Sequence, residues 1–287
     1  MTSSENSEKE TLPKDLSDAA DGRCLKDMCG YIDVHCHLTG DEYGDISALI
    51  ERLEEVGVRK VITAGFDIPS SQRGMYLAEK YPSVYFTAGF HPTELKKYRE
   101  GDLDIIKSLL SHPKCVALGE IGLDYHYEDT DKPLQHKFFA AQLEMAAKAG
   151  LPVEIHSRDC AEDMYNFVKE RAELLQNGAL LHCYSHSAEL ALQFLKLGFY
   201  FSFGGTSTYK GSKRARKSML ALPVASLLTE TDSPYLPPAS LYGTFPNTPA
   251  SIPEITASMA AVKELDENVM KAAVWKNAHT FFKKLNG

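Results

Sequence analysis

Asp33, His35 and His37 lie two residues apart at the end of a short apolar run. On an extended backbone this spacing projects all three side chains to the same face. Two imidazoles on one face can chelate a metal ion, because zinc and similar ions accept histidine nitrogen together with carboxylate oxygen. Two partly buried structural histidines would give the same pattern, so the pair alone leaves both interpretations open.

Residues of the same chemistry end other apolar runs further along the chain. They are Glu120 in GEIGLD, His156 in IHSRD, His182 in LHCYS and Asp232 in TETDSP. Four histidines and two carboxylates exceed what one tetrahedral metal takes. We therefore predict two divalent metal ions, Mg²⁺, Mn²⁺ or Zn²⁺, that share Glu120, because Gly119 and Gly122 allow other groups to approach it closely. Such a pair, about 4 Å apart, can hold both the attacking hydroxide and a phosphoryl oxygen.

The elements that must position these residues are eight β-rich runs alternating with amphipathic helical patterns such as 46–56, 135–149 and 187–197. The predicted strands are 31–35, 60–64, 84–89, 115–120, 152–156, 179–183, 199–203 and 226–231. Alternation fits a doubly wound open sheet or a (β/α)8 TIM barrel. Polar residues at nearly every strand end favour the α/β barrel, whose active sites lie at that edge. We predict one barrel over residues 30–287 after a disordered polar extension, residues 1–29.

Composition limits the function classes for this chain of 287 residues. A net charge of −8 argues against coating nucleic acid with a broad basic face, but not against a nuclease whose metal ions supply positive potential locally. The polar start lacks a signal core, and no stretch reaches the roughly 18 apolar residues that span a membrane. We expect a cytoplasmic or nuclear protein with free thiols, no membrane association and no obligate protein partner.

Seven motifs resemble the TatD-type deoxyribonucleases in order and spacing. They are DVHCHL, GFHP, GEIGLDYHY, LPVEIHSRD, HCYSHSAELA, GFYFSFGGTSTYK and LLTETDSPYLPP, and the resemblance covers residues 31–287. It implies a metal-dependent barrel that trims DNA, chiefly single-stranded or frayed ends, from the 3′ end.

The same resemblance implies roles for individual residues. One metal would be held by His35, His37, Glu120 and Asp232, and the other by Glu120, His156 and His182. Asp232 would also accept a proton from the attacking water, as a carboxylate beside metal-bound water can. Two further positions, His91 and Glu230, match residues near the family's site, where we expect substrate contact or orientation of a ligand. We expect Asp33 to support a ligating histidine.

Other basic and aromatic residues are candidates for substrate contact. Arg158 can place its planar guanidinium against a phosphate, or form an ion pair at the rim. The basic run at 210–217 is either a local phosphate-binding surface or a solvated helix face. The chain departs from the family in one place. After the motif LLTETDSPYLPP the family often has a basic residue before an Asn-Glu-Pro element, whereas this chain has Thr-Phe-Pro-Asn-Thr-Pro at 244–249. There we expect Phe245 to make a core or lid contact, with stacking on a base as the alternative.

Two other functions remain open from the sequence. An amidohydrolase-like enzyme would cleave a C–N or ester bond of a small molecule, but several such barrels bridge their metals with a modified lysine on strand four, where this chain has Glu120. A barrel without catalysis could bind metal as a scaffold, although it would have no physical need for six metal-binding groups on one rim.

Overall fold

Eight parallel strands form one sheet in which each strand lies beside the next along the chain. The computed structural model describes residues 29–286. The strands are β1 (Tyr31–Cys36), β2 (Val58–Thr63), β3 (Val84–Ala88), β4 (Cys115–Asp124), β5 (Val153–Arg158), β6 (Ala179–Leu181), β7 (Phe199–Phe203) and β8 (Leu227–Thr229). The sheet curls until β8 lies beside β1, where Thr229 Oγ1 donates a hydrogen bond to the carbonyl of Ile32 at 2.7 Å. The predicted (β/α)8 barrel is confirmed.

Helices alternate with these strands. Within residues 29–286 they are α1 (Ile46–Glu55), α2 (Ile68–Lys80), α3 (Asp102–Leu109), α4 (Lys132–Ala149), α5 (Ala161–Lys169), α6 (Ala188–Lys196), α7 (Lys213–Ala221), α8 (Ile252–Val262) and α9 (Glu267–Phe281). Side chains cap several helix starts: Asp67 accepts from the Ser70 amide at α2, and Ser187 accepts from the Leu190 amide at α6. These caps satisfy amide groups that have no partner inside the helix. The three helical patterns read from the sequence correspond to α1, α4 and α6.

Most of the core is one continuous apolar cluster of strand and helix side chains, and a second, smaller cluster consists of Phe90, Leu95 and Phe138. Every residue of β3 and β4 is buried. Strands of a parallel sheet are buried on both faces because helices on one side and packed side chains on the other exclude water. This packing makes the barrel a rigid support for residues at the strand ends.

Four predicted C-terminal strand ends were wrong by two residues or more, and one of them is that of β5, which ends at Arg158 instead of His156. Strand β4 continues four residues past Glu120, because pairing with β5 resumes after an irregularity between Leu118 and Ile121. Conversely, β6 and β8 end before His182 and Asp232, which lie in the segments that follow. At these two residues the backbone has left the sheet, so pairing with neighbouring strands does not determine its path.

The predicted polar extension, except for Cys29, lies outside the described residues. No helix within residues 29–286 combines the length and apolar character needed to cross a membrane. Cys36, Cys115, Cys160 and Cys183 are free thiols, as expected for them.

Candidate metal centre

The end of β1 and the segment after β8 are joined by backbone hydrogen bonds. The Asp232 amide donates to the His35 carbonyl at 3.0 Å, and the His37 amide donates to the Ser233 carbonyl at 2.7 Å. Asp232 has a φ of +52°, a left-handed conformation that aspartate tolerates better than most residues. Its Oδ1 lies 3.5 Å from Nε2 of His35 and 3.3 Å from Nε2 of His37. His35, His37 and Asp232 form the first donor cluster.

Three histidines from other strand ends form the second donor cluster. His91 follows β3, His156 lies in β5 and His182 follows β6. Their ring nitrogens surround Oε1 of Glu120, at 3.4 Å for His91 Nε2, 2.9 Å for His156 Nδ1 and 2.8 Å for His182 Nε2. Sequence reasoning assigned His91 to substrate contact or support, whereas the geometry brings its ring nitrogen among the potential ligand atoms.

Glu120 lies between the two donor clusters. While Oε1 faces the second cluster, Oε2 lies 3.8 Å from His35 Nε2 and 3.9 Å from His37 Nε2 in the first. The neighbouring glycines allow this close packing. A Cβ at Gly119 would lie 2.6 Å from the Cβ of Glu154, and one at Gly122 would lie 2.1 Å from the carbonyl oxygen of His156. The carboxylate therefore has one oxygen for each cluster.

The charge states of four groups of the site suit metal binding. Burial by itself raises the pKa of Glu120, but neighbouring histidines outweigh it and hold that pKa well below its usual range. For Asp232, burial is likewise outweighed by hydrogen bonds from His35 and His37, and the pKa is lowered. Burial lowers the pKa of His91 and of His182. At neutral pH the carboxylates are therefore charged and these two imidazoles neutral, which are the ligating forms. At His35 and His156 burial lowers the pKa, but neighbouring carboxylates outweigh it and raise the pKa, to about 9 for His156, so each of these rings holds a proton that a metal ion would displace.

The donor atoms fit divalent cations. Three groups have ligand atoms within 4.8 Å of one another: His35 with His37 and Asp232, His35 with Glu120 and His182, and His91 with Glu120 and His156. The Nε2 atoms of His35 and His37 are 3.2 Å apart. Two imidazole nitrogens at this distance repel through their lone pairs unless a proton or a cation lies between them. Imidazole nitrogen with carboxylate oxygen suits zinc and manganese.

Two carboxylates that sequence reasoning missed hold the ligand rings. Glu154 Oε1 lies 2.9 Å from His35 Nδ1, and Asp124 Oδ2 lies 2.9 Å from His156 Nε2. Such partners fix ring orientation and tautomer. A signal for Glu154 exists in the sequence, because it is a lone charge inside an apolar strand and shares a face with His156 two residues later. Asp124 ends GEIGLD, and only the longer β4 explains its position.

Asp33 and Glu230 lie behind the donor clusters. Asp33 is fully buried and accepts hydrogen bonds from the His35 amide at 3.1 Å and the Thr231 hydroxyl at 2.6 Å. It therefore supports His35 through the main chain and not through the ring. Burial raises the pKa of Glu230 to about 8. Its Oε2 accepts from Ser202 and lies 3.8 Å from His182 Nδ1, which is too far for a hydrogen bond, and the full burial of Glu230 disfavours contact with substrate.

A cavity of about 880 Å³ opens over the clusters. Its lining includes His37, His91, Glu120, His156, His182 and Asp232. Two cationic side chains line it as well. One is the predicted Arg158 at the exposed end of β5, and the other is Arg73 of α2. Arg73 was not predicted from the sequence, because nothing in a helical pattern indicates that an arginine reaches a cavity.

Other predicted substrate contacts lie elsewhere. In the part of the chain that the structure describes, no basic residue of 210–217 lines the cavity, and Lys213, Arg214 and Lys217 are exposed in α7. The geometry thus favours the solvated helix face for this run. Phe245 is 59% exposed, so the predicted core contact was wrong.

This barrel, with histidine and carboxylate donors gathered at the carboxyl ends of its strands, defines a metal-dependent hydrolase of the TIM-barrel class. More particularly, the chain belongs to the TatD family: the family described as TatD related DNase matches residues 32–283.

Individual relatives agree with this membership. YabD of Bacillus subtilis (strain 168), named an uncharacterized metal-dependent hydrolase, is 36% identical over 88% of this chain and 98% of its own length. TatD of Klebsiella pneumoniae (strain 342), named a 3′-5′ ssDNA/RNA exonuclease, is 30% identical over 87% of this chain and 97% of its own. The crystal structure of YjjV, a TatD homolog from Escherichia coli K12, matches with a TM-score of 0.84 and 32% identity over 89% of this chain and 98% of that one.

Proposed function

We propose that the protein is a divalent-metal-dependent deoxyribonuclease that removes nucleotides from the 3′ end of single-stranded or frayed DNA. The observation that carries this proposal is Glu120, whose two carboxylate oxygens face two donor clusters on the floor of an open cavity. Two metal ions sharing one carboxylate are a common arrangement for phosphodiester hydrolysis. The name of the Klebsiella pneumoniae relative, a 3′-5′ ssDNA/RNA exonuclease, supports the choice of substrate.

In this proposal the residues would hold two ions, Mg²⁺, Mn²⁺ or Zn²⁺, with Glu120 serving both. The first would be held by His35, His37, Glu120 and Asp232, and the second by Glu120, His156 and His182, with His91 offering a further nitrogen. When bound, such ions polarise a phosphoryl oxygen and lower the pKa of a water molecule.

The protein's own residues supply orientation and proton transfer. Asp232 lines the cavity in its ionised form, so its carboxylate can orient a water molecule and accept its proton. Glu154 holds the ring of His35, and Asp124 holds the ring of His156. Arg158 and Arg73 carry positive charge to the cavity wall, where they can contact phosphate oxygens.

The charge distribution supports action at a chain end. A net charge of −8 argues against a broad basic face for a long duplex, whereas Arg73 and Arg158 offer attraction for phosphates in the wall of the cavity. A strand end needs only a few contacts around the reacting phosphate. The cytoplasmic or nuclear location and the independence from protein partners remain predictions of the sequence.

The test uses a 5′-labelled single-stranded oligonucleotide with added Mg²⁺ or Mn²⁺. We expect a ladder of products shortened from the 3′ end, and no ladder with Asp232→Asn. Asp104→Asn, at an exposed position of α3, is the matched control and should retain activity. An intact oligonucleotide at every metal would refute the nuclease, and shortening from the 5′ end would refute the polarity. Equal degradation by Asp232→Asn would point to a contaminant.

The amidohydrolase alternative is tested by a parallel screen of cyclic amides and phosphoesters. Its common bridging group, a modified lysine, is absent from β4, whose sequence is CVALGEIGLD. Turnover of an amide with no turnover of DNA would favour that alternative.

A further inference from the structure

The segment that follows Asp232 forms an uncharged loop with exposed aromatic rings. Residues 233–247 contain no Asp, Glu, Lys or Arg. Three aromatic side chains on this loop are more than half exposed: Tyr235 at 54%, Tyr242 at 79% and Phe245 at 59%. Rings this exposed bury little apolar surface within the protein, so their contribution to its stability is small.

The base of the loop is fastened by one buried side chain. Asn247 is 1% exposed, its amide nitrogen Nδ2 donates to the Tyr235 carbonyl at 2.9 Å, and its backbone amide donates to the Pro234 carbonyl at 2.9 Å. Tyr235 and Phe245 are both within two residues of a fastened position. They are therefore held in place next to one another, which reduces the entropy lost when a ligand binds them.

Tyr235 belongs to the wall of the cavity, and Phe245 lies beside it, outside the cavity. Tyr235 lines the cavity together with Asp232, and its amide donates to the Asp232 carbonyl at 3.1 Å. The centroid of the Phe245 ring lies 6.3 Å from that of Tyr235, with the ring planes inclined by 41°. At this inclination neither ring covers the face of the other, so each presents a face to an incoming planar group.

Charge does not oppose a nucleic acid strand on the β8 side of the cavity. Strand β4 lies opposite β8 in an eight-stranded ring, and beside its end is a second cavity of about 310 Å³. Glu94, Asp129 and Asp131 line that second cavity, and although Lys96 in the same lining pairs with Asp129, the remaining negative charge disfavours phosphates there. The loop after β8 carries no charge that repels phosphates and none that attracts them, so its affinity for a strand must come from contacts with the bases.

We propose that Tyr235 and Phe245 form a stacking platform for unpaired nucleobases of a single DNA strand, adjoining the phosphate that reacts. This proposal rests on the proposed nuclease function and deepens it. Base stacking on an aromatic ring requires an unpaired base and tolerates any sequence. The platform therefore selects single-stranded over paired DNA without reading sequence.

The first experiment measures binding without hydrolysis. A fluorescent single-stranded oligonucleotide is titrated with the full chain in EDTA, and its anisotropy gives Kd. We expect Phe245→Ala and Tyr235→Ala each to raise Kd by about tenfold, the usual size of a lost stacking contact, and Tyr235→Phe to bind as the unaltered protein does. Tyr242→Ala is the matched control, because Tyr242 is exposed on the same loop but packs beside Tyr209 and does not line the cavity.

The second experiment measures KM and kcat with metal present. We expect Phe245→Ala to raise KM about tenfold with little change in kcat, because stacking binds substrate and transition state equally. An oligonucleotide with abasic residues near its 3′ end should have the same KM for Phe245→Ala as for the unaltered protein, since no base is there to stack.

The outcomes separate this proposal from the proposed function. Hydrolysis with the same KM for Phe245→Ala as for the unaltered protein overturns the platform and leaves the nuclease standing. Binding that weakens in Phe245→Ala but not in Tyr242→Ala, without hydrolysis at any metal, supports the platform and overturns the nuclease. An equal effect of Tyr242→Ala would assign the change to loop structure and overturn the platform.

Discussion

The Oε1 atom of Glu154 lies 2.9 Å from Nδ1 of His35, and neither side chain is accessible to solvent. With Nδ1–H donated to the carboxylate, the Nε2 lone pair of His35 faces Asp232 and Glu120. The pair thereby sets the tautomer that a metal ligand requires. Glu154 comes from β5 and His35 from β1, so the contact crosses the interior of the barrel.

We predict that Glu154→Gln weakens metal binding by about 10- to 100-fold, the usual cost of altering a carboxylate behind a ligating histidine. A glutamine is the same size but lacks the charge and can turn its amide nitrogen to the ring. Competition with a chelator of known affinity gives the change in Kd. Glu144→Gln, at the exposed position paired with Lys148 on α4, is the control and should leave Kd unchanged. Unaltered affinity in Glu154→Gln would show that His35 does not depend on this pair.

We predict that Mn²⁺ or Zn²⁺ raises the thermal unfolding midpoint, because an ion that binds only the folded protein stabilises it. At a free metal concentration 100 times Kd, the stabilisation is about 2.7 kcal/mol. Differential scanning fluorimetry with and without EDTA measures it. Elemental analysis should give two ions per chain, and fewer than two in Glu120→Ala. Two ions retained by Glu120→Ala would contradict a shared carboxylate.

We predict that Gly122→Ala destabilises the protein by at least about 2 kcal/mol through backbone strain and a steric clash. Its φ of +141° is unfavourable for any residue with a side chain, and an added Cβ would lie 2.1 Å from the His156 carbonyl oxygen. A lowered unfolding midpoint measures this effect. The control is Gly211→Ala, where an added Cβ has no neighbour within 4 Å. Equal midpoints for the two variants would show that β4 and β5 can separate at little cost.

We predict that Arg158→Ala raises KM for single-stranded DNA by about tenfold and leaves kcat nearly unchanged, because a phosphate contact at the rim binds substrate and transition state alike. The plot of log KM against log salt should lose about one unit of slope. Arg52→Ala removes an exposed arginine paired with Glu55 on α1 and should change neither quantity. An unchanged salt slope in Arg158→Ala would remove this residue from the substrate site.

Much of the fold could be predicted from the sequence, because the patterns that indicate strands and helices each lie within a short segment of the chain. Apolar β-rich runs alternating with amphipathic helices predicted all eight strands, and polar residues at their ends favoured closure into a barrel. The ends of strands such as β4, β6 and β8 were predicted less accurately. Strand ends depend on whether a neighbouring strand offers a hydrogen-bonding partner, and that partner is distant in sequence.

For the site, the sequence by itself determined the donor types and which of them share a face of one strand, as at His35 and His37, because side-chain alternation is a property of a single strand. Only the tertiary structure decided which donors meet across strands: the two oxygens of Glu120 facing different clusters, His91 joining the second, and Glu154 behind His35. Those distances depend on barrel closure and on the register between strands, and packing over the whole chain determines both.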